Sequence, residues 1–148
     1  MSLRLNYREA NPESFETMIK FESFMAKSGL DKKLYELIKI RASQINGCAF
    51  CLDMHTKDLR KLGETEQRVH LISVWRETND LFTEEEKAVL ELTEAVTLIA
   101  NNGVPQELYE KVRTFFNEKQ YVDIVMAINT INSWNRIAIS TGMYPGCL

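Results

Sequence analysis

Four side chains suited to acid–base and redox chemistry share one stretch of the chain. Glu36, Cys48, Cys51 and His55 follow one another at intervals of 12, 3 and 4 residues. Together they supply two thiols, an imidazole and a carboxylate, the parts needed for a thiolate to attack and a second thiol to close a disulfide behind it. On a helix, residues three and four apart share a face, so Cys48, Cys51 and His55 fall on one stripe. A helix start also offers unpaired N–H groups and the positive end of the macrodipole, both of which favour an anion. An ordinary thiol is only about 3% ionised at neutral pH, and such surroundings lower its pKa. His55 can take the proton directly or through a water, and Glu36 can orient the imidazole and fix its tautomer. Two arguments compete for the attacking thiol. Cys48 is nearer the helix terminus, whereas Cys51 has His55 one turn away. A dedicated base is more selective than a shared dipole, so Cys51 is read as the attacker and Cys48 as the resolving thiol.

Helical signals recur along the chain and strand signals do not. Asn11-Pro12 reads as an N-cap followed by proline in the first turn, with Gly29 as the stop. Asp31 can cap a second helix carrying Leu34, Glu36, Leu37, Ile38 and Ile45. Asn46-Gly47 breaks the chain, and Cys48 to Leu62 reads as a third helix ended by Gly63. A fourth runs from Thr65 through Val69, Ile72 and Trp75. Thr83 and Glu86 form a capping box for a helix whose apolar positions Val89, Leu92, Val96 and Ile99 continue to Asn101-Asn102-Gly103. Pro105 starts a short helix to Phe116, and a long one from Gln120 to Thr141 follows. The expectation is an all-α fold of six to seven helices, read as a single domain over residues 1–148. Asn129, Asn132 and Asn135 form a polar stripe on the last helix that needs hydrogen-bond partners if buried, at a pocket or an oligomer interface.

Other uses of the motif fit less well. A c-type haem needs histidine directly after the second cysteine, where this chain has Leu52. Zinc could use Cys48, Cys51 and His55 but lacks an obvious fourth ligand, since His70 and Cys147 are remote. No βαβ pattern surrounds the pair, which disfavours a thioredoxin fold. Glu36 alone would read as a solvated carboxylate pairing with Lys32, Lys33 or Lys39. His70 reads as surface or interface, and Cys147 as incidental. Phe50, Leu52 and Met54 read as core or pocket wall, and Trp75-Arg76 and Trp134-Asn135-Arg136 as packing or the rim of an entrance.

A net charge of −3 gives no electrostatic case for nucleic acid or an anionic membrane as partner. No apolar run approaches the roughly 18 residues of a membrane span, and the first residues lack a leader's hydrophobic region. Two of the three cysteines lie in one CxxC, which suits a reducing cytoplasm better than a secreted disulfide framework.

The pattern of Glu36, Cys48-x-x-Cys51 and His55 resembles the AhpD-like alkylhydroperoxidases of the carboxymuconolactone decarboxylase superfamily. The likeness extends over about residues 5–145, through Ser28-Gly29-Leu30-Asp31, Leu37 to Gln44, Trp75-Arg76-Glu77, Phe82 to Glu86 and Trp134-Asn135-Arg136. The resemblance implies an all-helical subunit in trimers or hexamers. It also implies a thiol peroxidase or disulfide oxidoreductase without metal or organic cofactor, acting on a hydroperoxide and restored by a dithiol protein or small thiol. Carried over by position, Cys51 is the peroxidatic thiol, Cys48 its partner, His55 the base and Glu36 the proton-relay carboxylate. Peroxidase members carry a second histidine before the attacking cysteine, where this chain has Phe50. An apolar ring cannot relay protons, so weaker peroxide turnover or a different acceptor is expected. The alternatives are a decarboxylase-like lactone enzyme, as elsewhere in the superfamily, and an oligomeric redox-sensing protein.

Overall fold

Side chains with a carboxylate, amide or hydroxyl start most of the longer helices. In the computed structural model, which describes residues 2–148, Asn11 accepts the Ser14 N–H at 3.2 Å to open α2 (Pro12–Lys27), after a short α1 (Tyr7–Ala10). Asp31 accepts the Leu34 N–H at 3.0 Å and starts α3 (Lys32–Asn46). Cys48 caps α4 (Ala49–Lys61) and Thr65 caps α5 (Glu66–Leu71). Thr83 and Glu86 make the expected reciprocal capping box on α6 (Glu84–Thr97). A second box, Asn117 with Gln120, opens α9 (Glu118–Thr141). Between them lie α7 (Ile99–Asn102) and α8 (Gln106–Arg113). No strand occurs among the described residues, and the fold is all-α.

Several boundaries differ from the sequence reading. The fourth helix tightens into a 3₁₀ segment at Ile72–Glu77, where Val74 leaves helical geometry (φ −122°, ψ 28°). The helix behind Thr83 breaks at Leu98 (φ −103°, ψ 38°) instead of continuing to Asn102. Pro105 precedes its helix with extended ψ of 147°. The four-residue α1 was too short for a periodic signal.

α3 is the central helix, with α4, α6 and α9 packed around it. Leu37, Ile38, Ile40 and Ala42 are fully buried on it, meeting Leu59 of α4, Val89, Leu90 and Leu92 of α6, and Ile124, Ile128 and Ile131 of α9 in one cluster. Complete burial of such side chains favours folding by roughly 1.5–3 kcal/mol each. A helix enclosed by several neighbours has little solvent-facing surface left, and this encloses Glu36, Lys39 and Ser43 as well.

The sharp α3–α4 turn depends on Gly47, which adopts φ 72° and donates its N–H to the Ser43 carbonyl. Such a left-handed conformation is easily adopted only by glycine. At the other end of the fold the extended N-terminal arm crosses the end of α9, with the Arg4 N–H donating to the Thr141 carbonyl at 2.9 Å. That crossing brings Tyr7 and Arg8 beside Trp134, Ala138 and Met143. No helix among the described residues is long and apolar enough to cross a membrane.

Candidate active site

The α3–α4 turn folds the two helices against each other, and residues 19 apart in sequence meet. His55 Nδ1 lies 3.1 Å from Glu36 Oε2, and Lys39 Nζ donates to Glu36 Oε1 at 3.0 Å. All three side chains are buried. Burial pushes the Glu36 carboxyl upward, but the His55 hydrogen bond and the Lys39 ammonium outweigh it and hold the group below the usual carboxylate range. An ionised Glu36 can only accept, so Nδ1 of neutral His55 carries the proton and Nε2 is left with the basic lone pair. Lys39 is itself fixed from below, with Nζ 3.7 Å from the centre of the Tyr35 ring. The Tyr35 hydroxyl donates to Glu22 Oε2 at 3.0 Å, and its ionisation is pushed well above the ordinary range by burial and by the Glu22 carboxylate.

Cys48 and Cys51 are joined as a disulfide with Cα atoms 5.4 Å apart. Both are buried, but they face different surroundings. Cys51 and His55 line a cavity of about 280 Å³, together with Phe50, Met54 and Trp134. Cys48 is absent from that wall. As the N-cap it is extended (φ −88°, ψ 95°), half a step outside the helix, and its Sγ accepts the Cys51 N–H at 3.4 Å. The expected three-residue stripe is therefore two residues facing the cavity, Cys51 and His55, with Cys48 behind them. The helix-start amide acts on Cys48, and the cavity and the imidazole belong to Cys51.

Residues 12–95 match the sequence model of the carboxymuconolactone decarboxylase family. That stretch is more than half of the chain and includes all four motif residues. The chain belongs to this family. Within the family it is an AhpD-like member. An uncharacterised Bacillus subtilis protein, YdfG, is 53% identical over 142 residues, covering 96% of each chain. A crystal structure of an Agrobacterium tumefaciens protein of unknown function, for which an AhpD-type role in antioxidant defence has been suggested, superposes with a TM-score of 0.94. It is 45% identical and the match covers 97% of this chain and 99% of that one. Alkyl hydroperoxide reductase AhpD of Coxiella burnetii is 37% identical, over 60 residues that make up 40% of this chain and 34% of that protein.

The pairing of Glu36 with Lys39 that the helix spacing allowed is present, but in a buried setting. Zinc ligation by Cys48, Cys51 and His55 has no counterpart in the geometry. Among the described residues the metal-competent atoms that converge are those of Glu36, His55 and Asp58. There the Lys39 ammonium already sits against Glu36, and Asp58 Oδ2 is 3.8 Å from His55 Nδ1. Such a set suits proton relay better than metal binding.

Trp134 lines the cavity and donates its indole N–H to Glu22 Oε1 at 2.9 Å, whereas Trp75 donates to Glu94 Oε1 at 2.6 Å on another face. Burial raises the Glu94 carboxyl, but Arg76, Trp75 and Arg41 outweigh it and keep it low. This is the satisfied packing of an indole. Asn132 and Asn135 find their partners inside the chain. Asn46 Nδ2 donates to Asn132 Oδ1 at 3.0 Å and to Asn135 Oδ1 at 2.9 Å, and Asn135 Nδ2 donates to Ser43 Oγ at 3.0 Å. The stripe thus ties α9 to α3, and Asn129 is exposed. Tyr35, Glu22, Tyr7 and Arg8 were not singled out in the sequence. Tyr35 sits one turn before Lys39 and could have been found by helix spacing, but the other three reach the site through tertiary packing alone.

Proposed function

We propose that the protein is a thiol-dependent peroxidase or disulfide oxidoreductase in which Cys51 attacks and Cys48 resolves. The observation that carries this reading is that Cys51 shares one cavity wall with His55, whose other nitrogen is anchored on an ionised, buried Glu36. In the reduced pair, His55 Nε2 takes the Cys51 proton. The thiolate attacks the terminal oxygen of a hydroperoxide, the O–O bond breaks, and the departing alkoxide takes the proton from His55 to leave as an alcohol. Cys51 is then a sulfenic acid. The Cys48 thiol displaces its hydroxyl, forming the Cys48–Cys51 disulfide and releasing water. An external dithiol attacks Cys51 from the cavity and takes both oxidising equivalents as its own disulfide. Cys48 leaves as a thiolate, and the N-cap amide at 3.4 Å favours that charge.

Phe50 in the cavity wall supports a drier site than a histidine would give, with one relay in place of two. The reading includes a homo-oligomer, in keeping with the trimers or hexamers implied by the resemblance.

Free-thiol titration of the reduced protein before and after one equivalent of an organic hydroperoxide tests the proposal. Rapid loss of two thiols in the wild type, absent in Cys51→Ser, is the expected result. No loss over minutes would refute the peroxidase reading and direct attention to disulfide exchange or to a reaction independent of the cysteines.

A further inference from the structure

The cavity beside Cys51 is lined by two residues with unsatisfied polar atoms. Among the described residues, two buried side-chain polar atoms lack a hydrogen-bond partner, the Tyr7 hydroxyl and Arg8 Nε. Both residues line the cavity that Cys51 and His55 line. Buried donors are nearly always paired in folded proteins, and an orphaned pair at one site points to a ligand group that completes them. Arg8 also makes no ion pair among the described residues, and its guanidinium is held by stacking, with Cζ 4.6 Å from the centre of the Phe15 ring. Lys39 of the same wall is neutralised by Glu36. Glu22, the carboxylate in that wall, has each oxygen engaged by a neutral donor, Trp134 Nε1 and the Tyr35 hydroxyl. Arg8 is therefore the cation of the cavity wall that has no carboxylate against it.

We infer that Tyr7 and Arg8 form a carboxylate-binding subsite. Resting on the peroxidase reading, the substrates selected are hydroperoxides of amphipathic organic acids. The carboxylate pairs with Arg8 Nε–H and the Tyr7 O–H. The apolar body lies along Phe15, Phe50 and Trp134, and the peroxide end meets Cys51 and His55. Charge-assisted bonds of this kind are strong because the acceptor is ionised and the surroundings are apolar. Both residues lie in the N-terminal arm, before the stretch matched to the family model.

Equilibrium binding of 4-isopropylbenzoate and its methyl ester to the oxidised wild-type protein, followed by calorimetry, separates this inference from the chemistry. The acid is expected to bind about ten-fold or more tightly than the ester. Arg8→Leu should remove that preference while ester affinity stays within about two-fold, and Tyr7→Phe, which deletes only the hydroxyl, should lose part of it. Equal affinities in the wild type would overturn the inference, as would an Arg8→Leu protein that weakens both ligands alike, because Arg8 would then only pack on Phe15. Should Arg8→Leu not fold, an unchanged acid preference in Tyr7→Phe overturns it. Peroxide-driven thiol loss without acid preference leaves the peroxidase standing and removes the subsite. Acid preference without thiol loss for any hydroperoxide retains the subsite and removes the peroxidase.

Discussion

Glu36 meets His55 through one carboxylate oxygen and Lys39 through the other, at 3.1 and 3.0 Å, inside a packed helical core. The arrangement divides the work between two neighbours. The His55 hydrogen bond and the Lys39 charge together keep Glu36 ionised against burial, and Glu36 in turn dictates which nitrogen of His55 is basic. Neither effect would exist if α3 were a surface helix, where solvent would screen the pair.

Removing Glu36 should therefore impair His55 without displacing it. Glu36→Gln keeps the shape, loses the charge, and is expected to lower kcat/KM for an organic hydroperoxide about 10²-fold or more, within the range of general-base catalysis. Lys39→Met should cost less at neutral pH and change the pH profile. Without the ammonium, burial raises the Glu36 pKa, so activity on acidification should begin to fall at a higher pH than in the wild type. A pH–rate profile of kcat/KM checks both variants, and an unshifted acidic limb in Lys39→Met would remove Lys39 from the relay.

The same group leaves a signature in stability. The folded-state pKa of Glu36 is depressed below its ordinary 4.5. Its ionised form therefore favours the folded state fully above that value, and this contribution is lost as pH falls through the lower folded value. Urea unfolding between about pH 3 and 7 should show a shallower acid-side decline in Glu36→Gln than in the wild type. Identical slopes would mean that Glu36 is not held ionised by its partners.

Much of this was legible in the sequence because the decisive signals are local. Asp31 and Thr83 cap helices through side chains three residues from the amides they satisfy, and Gly47 marks the turn on which the site depends. Once α3 and α4 are fixed as helices joined by that turn, Glu36 and His55 have little choice but to meet. The placement of Cys48 was misjudged because helical spacing assumes a residue inside the helix, whereas the N-cap is extended and its side chain leaves the stripe. The cavity was illegible for a different reason. Tyr7, Phe15, Trp134 and Met143 come from both ends of the chain, and no local period links them. Burial of Asn132 and Asn135 follows from the register of α9 on α3, which apolar spacing predicts only loosely.

That register offers a test of its own. Asn135 is fully buried, accepts from Asn46 and donates to Ser43. Asn135→Leu keeps the branched shape but leaves both partners short of a bond, so a loss of roughly 1–3 kcal/mol is expected in denaturant melts. Because Asn46 immediately precedes the Gly47 turn, part of the loss should appear as reduced protection of the α3–α4 turn in amide hydrogen exchange. Unchanged stability would show that Asn46 and Ser43 find other partners.

Gly142 tests whether the N-terminal arm is part of the site. It ends α9 at φ 75°, and a Cβ placed there would lie 3.1 Å from the Arg4 backbone nitrogen and 3.1 Å from the Ser2 carbonyl oxygen. Gly142→Ala meets a conformational penalty and a backbone contact that cannot rotate away, with an expected cost of about 1–2 kcal/mol. The arm should yield before the helix does, because it is held to α9 by few bonds, Arg4 N–H to Thr141 among them. Its displacement would carry Tyr7 and Arg8 away from Trp134 while leaving Glu36, His55 and Cys51 in place. The expected outcome is therefore a weaker hold on organic hydroperoxides, seen as a raised KM, with the rate of disulfide formation at saturation little changed. A fall in that saturated rate with KM constant would instead tie the arm to the thiol chemistry itself.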